Sequence, residues 1–170
     1  MRAILNYAYS KEHIDRVPKL SVLPETKSKI FLQPQQVLDL IGSLDQLRAD
    51  QVRFAVATGL RKTNIRLLKW EQIAEDLSSL LVDGKDAKMG EDILIPLNAD
   101  ARAVLLRRKD LNDALVKKHR YLRNKIDYVF VQQSGGRTKV GNVLSEITNN
   151  TYRNACRKAG LPEGTTFHTM

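Results

Sequence analysis

The chain has 170 residues, 42% of them apolar, and a formal charge of +9. That suffices for one ordinary domain with a buried core, and it points to a polyanionic partner. The lone Cys156 excludes a disulfide framework and a cysteine-based zinc site, and His13, His119 and His168 lack metal-ligand spacing, so no metal is expected. Neither a run of about 18 apolar residues nor a signal-peptide pattern occurs, so a cytoplasmic protein without a membrane partner is expected.

In chain order, residues 2–13 place Ile4, Leu5, Ala8 and Tyr9 at helical spacing. Residues 17–25 carry Pro18 and Pro24, which favour an extended strap. This opening reads as the tail of another domain and an interdomain linker, with the main domain starting near Ile30. Pro34 opens a helix carrying Val37, Leu38, Leu40 and Ile41, which ends near Gly42. A second helix is expected over residues 49–58, burying Val52, Phe54, Ala55 and Val56. Gly59 breaks it, and a third follows over residues 61–68.

The apolar runs 79–82 and 93–96, separated by Asp83-Gly84 and Met89-Gly90, suit a small antiparallel hairpin. Asn98 caps a long helix expected over residues 99–122, with Val104, Leu105, Leu111 and Leu115 inward. Residues 128–131 read as a further strand, Gly135-Gly136 as a turn, and residues 143–158 as mostly helical, stopped by Gly160. The predicted class is therefore α+β, mainly α, with a small antiparallel sheet.

Charge is concentrated on the long helix: residues 101–125 hold nine Lys/Arg against two Asp, which is seven of the nine net charges. Such a stripe attracts a polyanion by counterion release, without sequence preference, or it simply keeps a helix face solvated. The most informative run is Thr58-Gly59-Leu60-Arg61, because the glycine break between two apolar-periodic segments lets one guanidinium point into a groove. Ala55, Gly59, Ile65 and Leu68 also fit the spacing of a helix-turn-helix, in which Lys62, Thr63, Asn64 and Arg66 would read bases. That alternative describes a regulator without catalysis. Trp70 is expected in the core.

Thr58-Gly59-Leu60-Arg61, Lys88 within the hairpin, and Lys158-Ala159-Gly160-Leu161 followed by Phe167-His168 together resemble the catalytic domain of the tyrosine recombinase (phage integrase) family. The resemblance runs from about residue 30 to the end. It implies that residues 1–29 are the tail of a core-binding domain and its linker, and that 30–170 is a catalytic domain. Lys88-Met89-Gly90 stands where Lys-Thr-Gly is common, Asn64 where an acid is frequent, and Thr169 where Asp is common. The chain ends one position before the arginine that would complete His-x-x-Arg, and the nucleophilic tyrosine is missing as well. Tyr7, Tyr9, Tyr121, Tyr128 and Tyr152 all precede that box, so none is assigned the role.

The resemblance further implies that a tyrosine attacks a DNA phosphodiester to give a 3'-phosphotyrosine link and a free hydroxyl. Arg61 would stabilise charge on the phosphate oxygens, Lys88 would protonate the leaving oxygen, and His168 would position or deprotonate the nucleophile. No cofactor is implied, because the bond energy stays in the covalent intermediate. Lys62, Lys85, Arg137 and Lys139 are the further expected DNA contacts. Family members assemble as tetramers on double-stranded DNA. The present chain is expected to be monomeric and, lacking the nucleophile, unable to cut DNA alone.

Overall fold

The computed structural model describes residues 2–19, 30–86, 90–135, 140–144 and 149–167. In chain order it contains α1 (Arg2–Ser10), α2 (Pro34–Gly42), α3 (Gln46–Thr58), α4 (Lys62–Arg66), β1 (Ser79–Val82), β2 (Ile93–Pro96), α5 (Ala99–Lys118) and α6 (Asn149–Lys158). Short 3-10 turns lie at Trp70–Gln72, Gly84–Asp86 and Arg120–Leu122. The mainly helical α+β class read from the sequence is the class observed.

Local chemistry fixes the helix starts. Pro34 occupies the first turn of α2, where its missing N–H costs nothing, and the Gln33 N–H donates to Gln36 Oε1 at 2.8 Å. Asp45 caps α3 by accepting from the Arg48 N–H at 3.1 Å, so the helix begins earlier than residue 49. Asn98 caps α5 through the Ala101 N–H at 2.9 Å. The same Asn98 side chain donates to the Ala57 carbonyl at 3.4 Å, tying the start of α5 to the end of α3.

β1 and β2 pair antiparallel with Leu80 opposite Ile95 and Leu81 opposite Leu94. Strand alternation puts Leu80 and Val82 inside and Leu81 outside. Between the hairpin and helices α3, α4 and α5 sits the main core, which includes Phe54, Ile65, Leu68, Leu80, Leu105 and Phe130. Phe54 and Phe130 meet edge to face with ring centroids 6.0 Å apart. Each such fully buried side chain contributes about 1.5–3 kcal/mol. A second core joins α2, α3 and α6 through Leu40, Val52, Tyr152 and Ala155, and a third holds Leu115, Leu122, Val131 and Val140 beyond α5.

Several expectations are corrected. Val56 is 51% exposed, because it lies on the outer face of a helix whose other apolar residues already fill the core stripe. Leu111 is only half-buried, and α5 ends at Lys118, after which the chain tightens into the Arg120–Leu122 turn. α4 is shorter than residues 61–68. Residues 128–131 do not form a strand. Their backbone pairs on one side with residues 68–70, through Val129 N–H to the Leu68 carbonyl at 2.9 Å, and on the other with residues 142–144, through Leu144 N–H to the Phe130 carbonyl at 3.1 Å. Neither neighbour is long enough to extend a ladder. Val143 makes an isolated bridge where a helix was expected, and α6 is described over Asn149–Lys158, with residues 145–148 outside the described residues.

The stripe on residues 101–125 is not one solvated face. Arg108 is 1% exposed and bonds Asp50 Oδ2 at 2.7 Å, while Arg107 grips the same carboxylate from 2.7 Å with Nη2 and 3.1 Å with Nε. Gln46 Nε2 and Arg53 Nη1 reach it at 3.0 and 3.4 Å. Burial lowers the Arg108 pKa, opposed by the attraction of Asp50. Arg108 Nε and Nη1 remain buried without a partner.

Candidate phosphate-binding site

The turn between α3 and α4 turns Arg61 outward. Thr58 Oγ1 donates back to the Phe54 carbonyl at 2.6 Å, closing the last turn of α3. Gly59 then takes the left-handed conformation, φ 67°, and its N–H meets the Ala55 carbonyl at 2.8 Å. Leu60 drops into the core, so its successor must face the other way. Arg61 is extended, φ −66° and ψ 149°, and its carbonyl accepts the Ile65 N–H at 3.0 Å to start α4. Buried Ile65 and Leu68 hold this short helix down. The exposed Arg61 guanidinium has no acidic partner among the described residues.

A recess of about 40 Å³ is lined by Leu60, Thr63, Asn64, Leu67, Gln72 and Val82, and so by the chain neighbours of Arg61 but not by Arg61 itself. Leu67 and Gln72 also line a cavity of about 310 Å³ under the hairpin, which reaches Lys69, Lys85 and Tyr128. Shared walls at Leu67 and Gln72 thus connect Leu60, Thr63 and Asn64 with Lys85. Charge along these walls is mixed. Lys85 Nζ pairs with Asp83 at 2.7 Å, and Lys69 Nζ pairs with Glu71 at 3.0 Å while lying 6.0 Å from the Tyr128 ring centroid. The hydrogen bond and charge of Glu71 raise the Lys69 pKa, and the bond from Lys85 lowers that of Asp83. Both pairs are solvent-exposed, so an incoming phosphate can replace either carboxylate at little cost.

At Gly84 an added Cβ would lie 2.5 Å from the Gly90 carbonyl oxygen, so the two arms of the hairpin loop touch backbone to backbone. The Gly84 N–H donates to Asp92 Oδ1 at 2.7 Å and pins the same neck. Lys88, between Gly84 and Gly90 in the sequence, lies outside the described residues, as do Arg137, Lys139 and His168.

The approach to His168 is described up to Phe167. Thr165 closes a turn with its hydroxyl donating to the Pro162 carbonyl at 2.6 Å, and Tyr152 Oη donates to the Thr166 carbonyl at 3.2 Å. Phe167 packs against both larger cores and tilts against Tyr152 with centroids 6.1 Å apart. Burial pushes the Tyr152 phenol well above the usual tyrosine range, which keeps it neutral and suits it to packing. Cys156 is likewise buried, with its thiol pushed up by desolvation. Of the seven expected site residues, Arg61, Lys62 and Lys85 are described; Lys62 is half-buried and follows Arg61 directly. Among the described residues no group of three or more His, Cys, Asp or Glu is gathered as a metal site would require, and no helix is long and apolar enough to cross a membrane.

This arrangement has known counterparts. A lambda integrase dimer bound to a COC' core site superposes with a TM-score of 0.63 at 19% identity, covering 99% of this chain and 57% of that one. A lambda integrase tetramer bound to a Holliday junction gives 0.62 at 19% identity, over 95% and 44%, and the XerA recombinase gives 0.52 at 20% identity, over 95% and 53%. The fold is thus that of the tyrosine recombinase catalytic domains. In sequence, the integrase of Salmonella phage P22 is 27% identical over 162 residues, which are 92% of this chain and 39% of that protein. The profile of the phage integrase family matches residues 31–170, and the chain belongs to that family. It spans well under two thirds of the length of these relatives.

Proposed function

We propose that this chain is the catalytic-domain part of a site-specific DNA recombinase that cuts and rejoins duplex DNA through a 3'-phosphotyrosine intermediate. Residues 1–29 would carry the end of a core-binding domain and its linker. The observation that carries the reading is the mount of Arg61: an exposed guanidinium without a counterion among the described residues, held between a left-handed glycine and two buried core anchors. A planar fork so fixed suits the non-bridging oxygens of a phosphodiester as they gain charge during attack. Lys88 would give its proton to the leaving deoxyribose oxygen, and His168 would position or deprotonate the attacking tyrosine. Lys62, Lys85, Arg137 and Lys139 would hold flanking phosphates. DNA-bound relatives, one of them a tetramer on a Holliday junction, support a DNA partner and assembly into multimers in the cell that holds that DNA.

The helix-turn-helix reading fares worse. Ala55, Ile65 and Leu68 are buried, but Gly59 is exposed with nothing within 4 Å of an added Cβ, and α4 has five residues. A helix of that length is only about 7.5 Å long, too short to lay a recognition face along a major groove. The test uses the intact gene product that carries this chain. Arg61→Ala should lower covalent protein–DNA product about 10²–10³-fold while duplex affinity stays within a few-fold. Unchanged covalent product would remove Arg61 from the chemistry; loss of base preference in Asn64→Ala without any covalent product would restore the regulator.

A further inference from the structure

Beyond the candidate site, the structure divides the basic stripe of α5 into two parts with different surroundings. Arg107 and Arg108 are committed to Asp50, and Arg102 Nε donates to the Leu97 carbonyl at 3.0 Å. After that, Lys117, Lys118, Arg120, Arg123 and Lys125 follow within nine residues, all exposed and interrupted by no acid. None of the five forms an ion pair among the described residues. Lys117 and Lys118 favour the negative end of α5 for ordinary helical reasons, but Arg120, Arg123 and Lys125 lie past it.

The turn that carries them is firmly seated. Leu122 is buried in the third core, directly over Gly141: with φ +81°, Gly141 leaves a space where an added Cβ would sit 2.6 Å from Leu122 Cδ2. Asn124 takes a left-handed φ of 57°, and the Lys125 N–H closes onto the Leu122 carbonyl at 3.0 Å. Arg120 and Arg123 therefore project from a packed 3-10 turn. Such preorganisation lowers the ordering cost of binding.

We propose that this turn, with the last turn of α5, is a second DNA-backbone contact, remote from the Arg61 turn and engaging a separate stretch of the duplex. The separation follows from the helix itself. Asn98 is bonded to Ala57 near the Arg61 turn, whereas Arg107 and Arg108 reach Asp50, so α5 runs antiparallel to α3 and its end points away. Twenty residues of α5 at ~1.5 Å each place Lys118 about 30 Å from Asn98.

Duplex backbone fits this face better than an acidic protein does, because the five cations are exposed and only Tyr121, 47% exposed and edge-on to His119 at 5.6 Å, adds exposed apolar area among them. A protein interface needs a desolvated apolar centre. The neighbouring groove of about 460 Å³ does have apolar walls, including Trp70 and Leu77, but Glu75 and Asp113 line it too and would repel phosphate; of the five cations only Arg123 reaches it.

The inference rests on the reading that this chain works on DNA, and one experiment separates the two. Binding of the 170-residue chain to a duplex of about 30 base pairs is measured against salt, for wild type, for Arg120→Gln/Arg123→Gln/Lys125→Gln, and for the charge-matched Arg153→Gln/Arg157→Gln/Lys158→Gln on α6. The turn variant should flatten the slope of log K against log salt by about 2–3, and the α6 variant by less than 1. Equal slopes for wild type and the turn variant, or equal losses in both variants, would overturn the second contact while leaving DNA binding intact. A wild-type affinity insensitive to salt would overturn the DNA reading itself.

Discussion

Near its middle, α5 turns Arg107 and Arg108 inward onto Asp50, whereas past its last turn Arg120, Arg123 and Lys125 stand in solvent with no acid among the described residues to meet them. In the first region a carboxylate that is 0% exposed is surrounded by donors from two helices, so cations serve to lock α3 against α5. In the second, apolar packing of Leu122 does the locking and leaves the cations free for a partner. Residues of the same type in one basic stretch are thus structural or available according to what faces them. Net charge alone does not distinguish the two.

The largest expected effect breaks the inner region. Asp50→Ala leaves the Arg108 guanidinium buried without its carboxylate and should lower stability by about 3–5 kcal/mol, read as the shift in a urea unfolding midpoint. Replacing both partners, Asp50→Leu with Arg108→Met, should recover most of that loss; a double variant no better than Asp50→Ala would show that the pair is not what joins the helices. A smaller effect sharpens the outer region. Gly141→Ala should cost about 1–3 kcal/mol, since the new methyl meets Leu122 in a left-handed backbone, and should flatten the salt dependence of DNA binding as the basic turn shifts. The smallest is that of the triple glutamine variant of the turn on folding itself, within about 0.5 kcal/mol. A greater loss there would mean that these cations are structural after all.

Much of this was legible in the sequence where local rules act alone. Pro34, Asn98 and the Gly59 break locate helix ends because caps and left-handed turns depend on near neighbours. The hairpin strands emerge at residues 79–82 and 93–96 for the same reason. Arg61 could be singled out because Leu60 and Ile65 force alternate directions on either side of it. Val56 was misplaced because hydrophobicity alone does not say which side of a crowded helix meets the core.

Arg108 and Asn112 were missed because charged and amide side chains are read as solvated. Their spacing carried a signal nonetheless, since 104, 105, 108, 112 and 115 share one helical face, all of it buried. Asn112 uses its place there to donate to the Tyr128 and Val129 carbonyls, at 3.3 Å each. That contact, between residues far apart in the chain, also explains why 128–131 satisfies its backbone without becoming a strand.

The most direct test of the account is a structure of the intact gene product on duplex DNA. Arg61 should donate to a phosphodiester oxygen at about 2.8 Å, with Lys88 and His168 on the same phosphate. Arg61 in open solvent, with Lys62, Thr63, Asn64 and Arg66 on base edges instead, would contradict it.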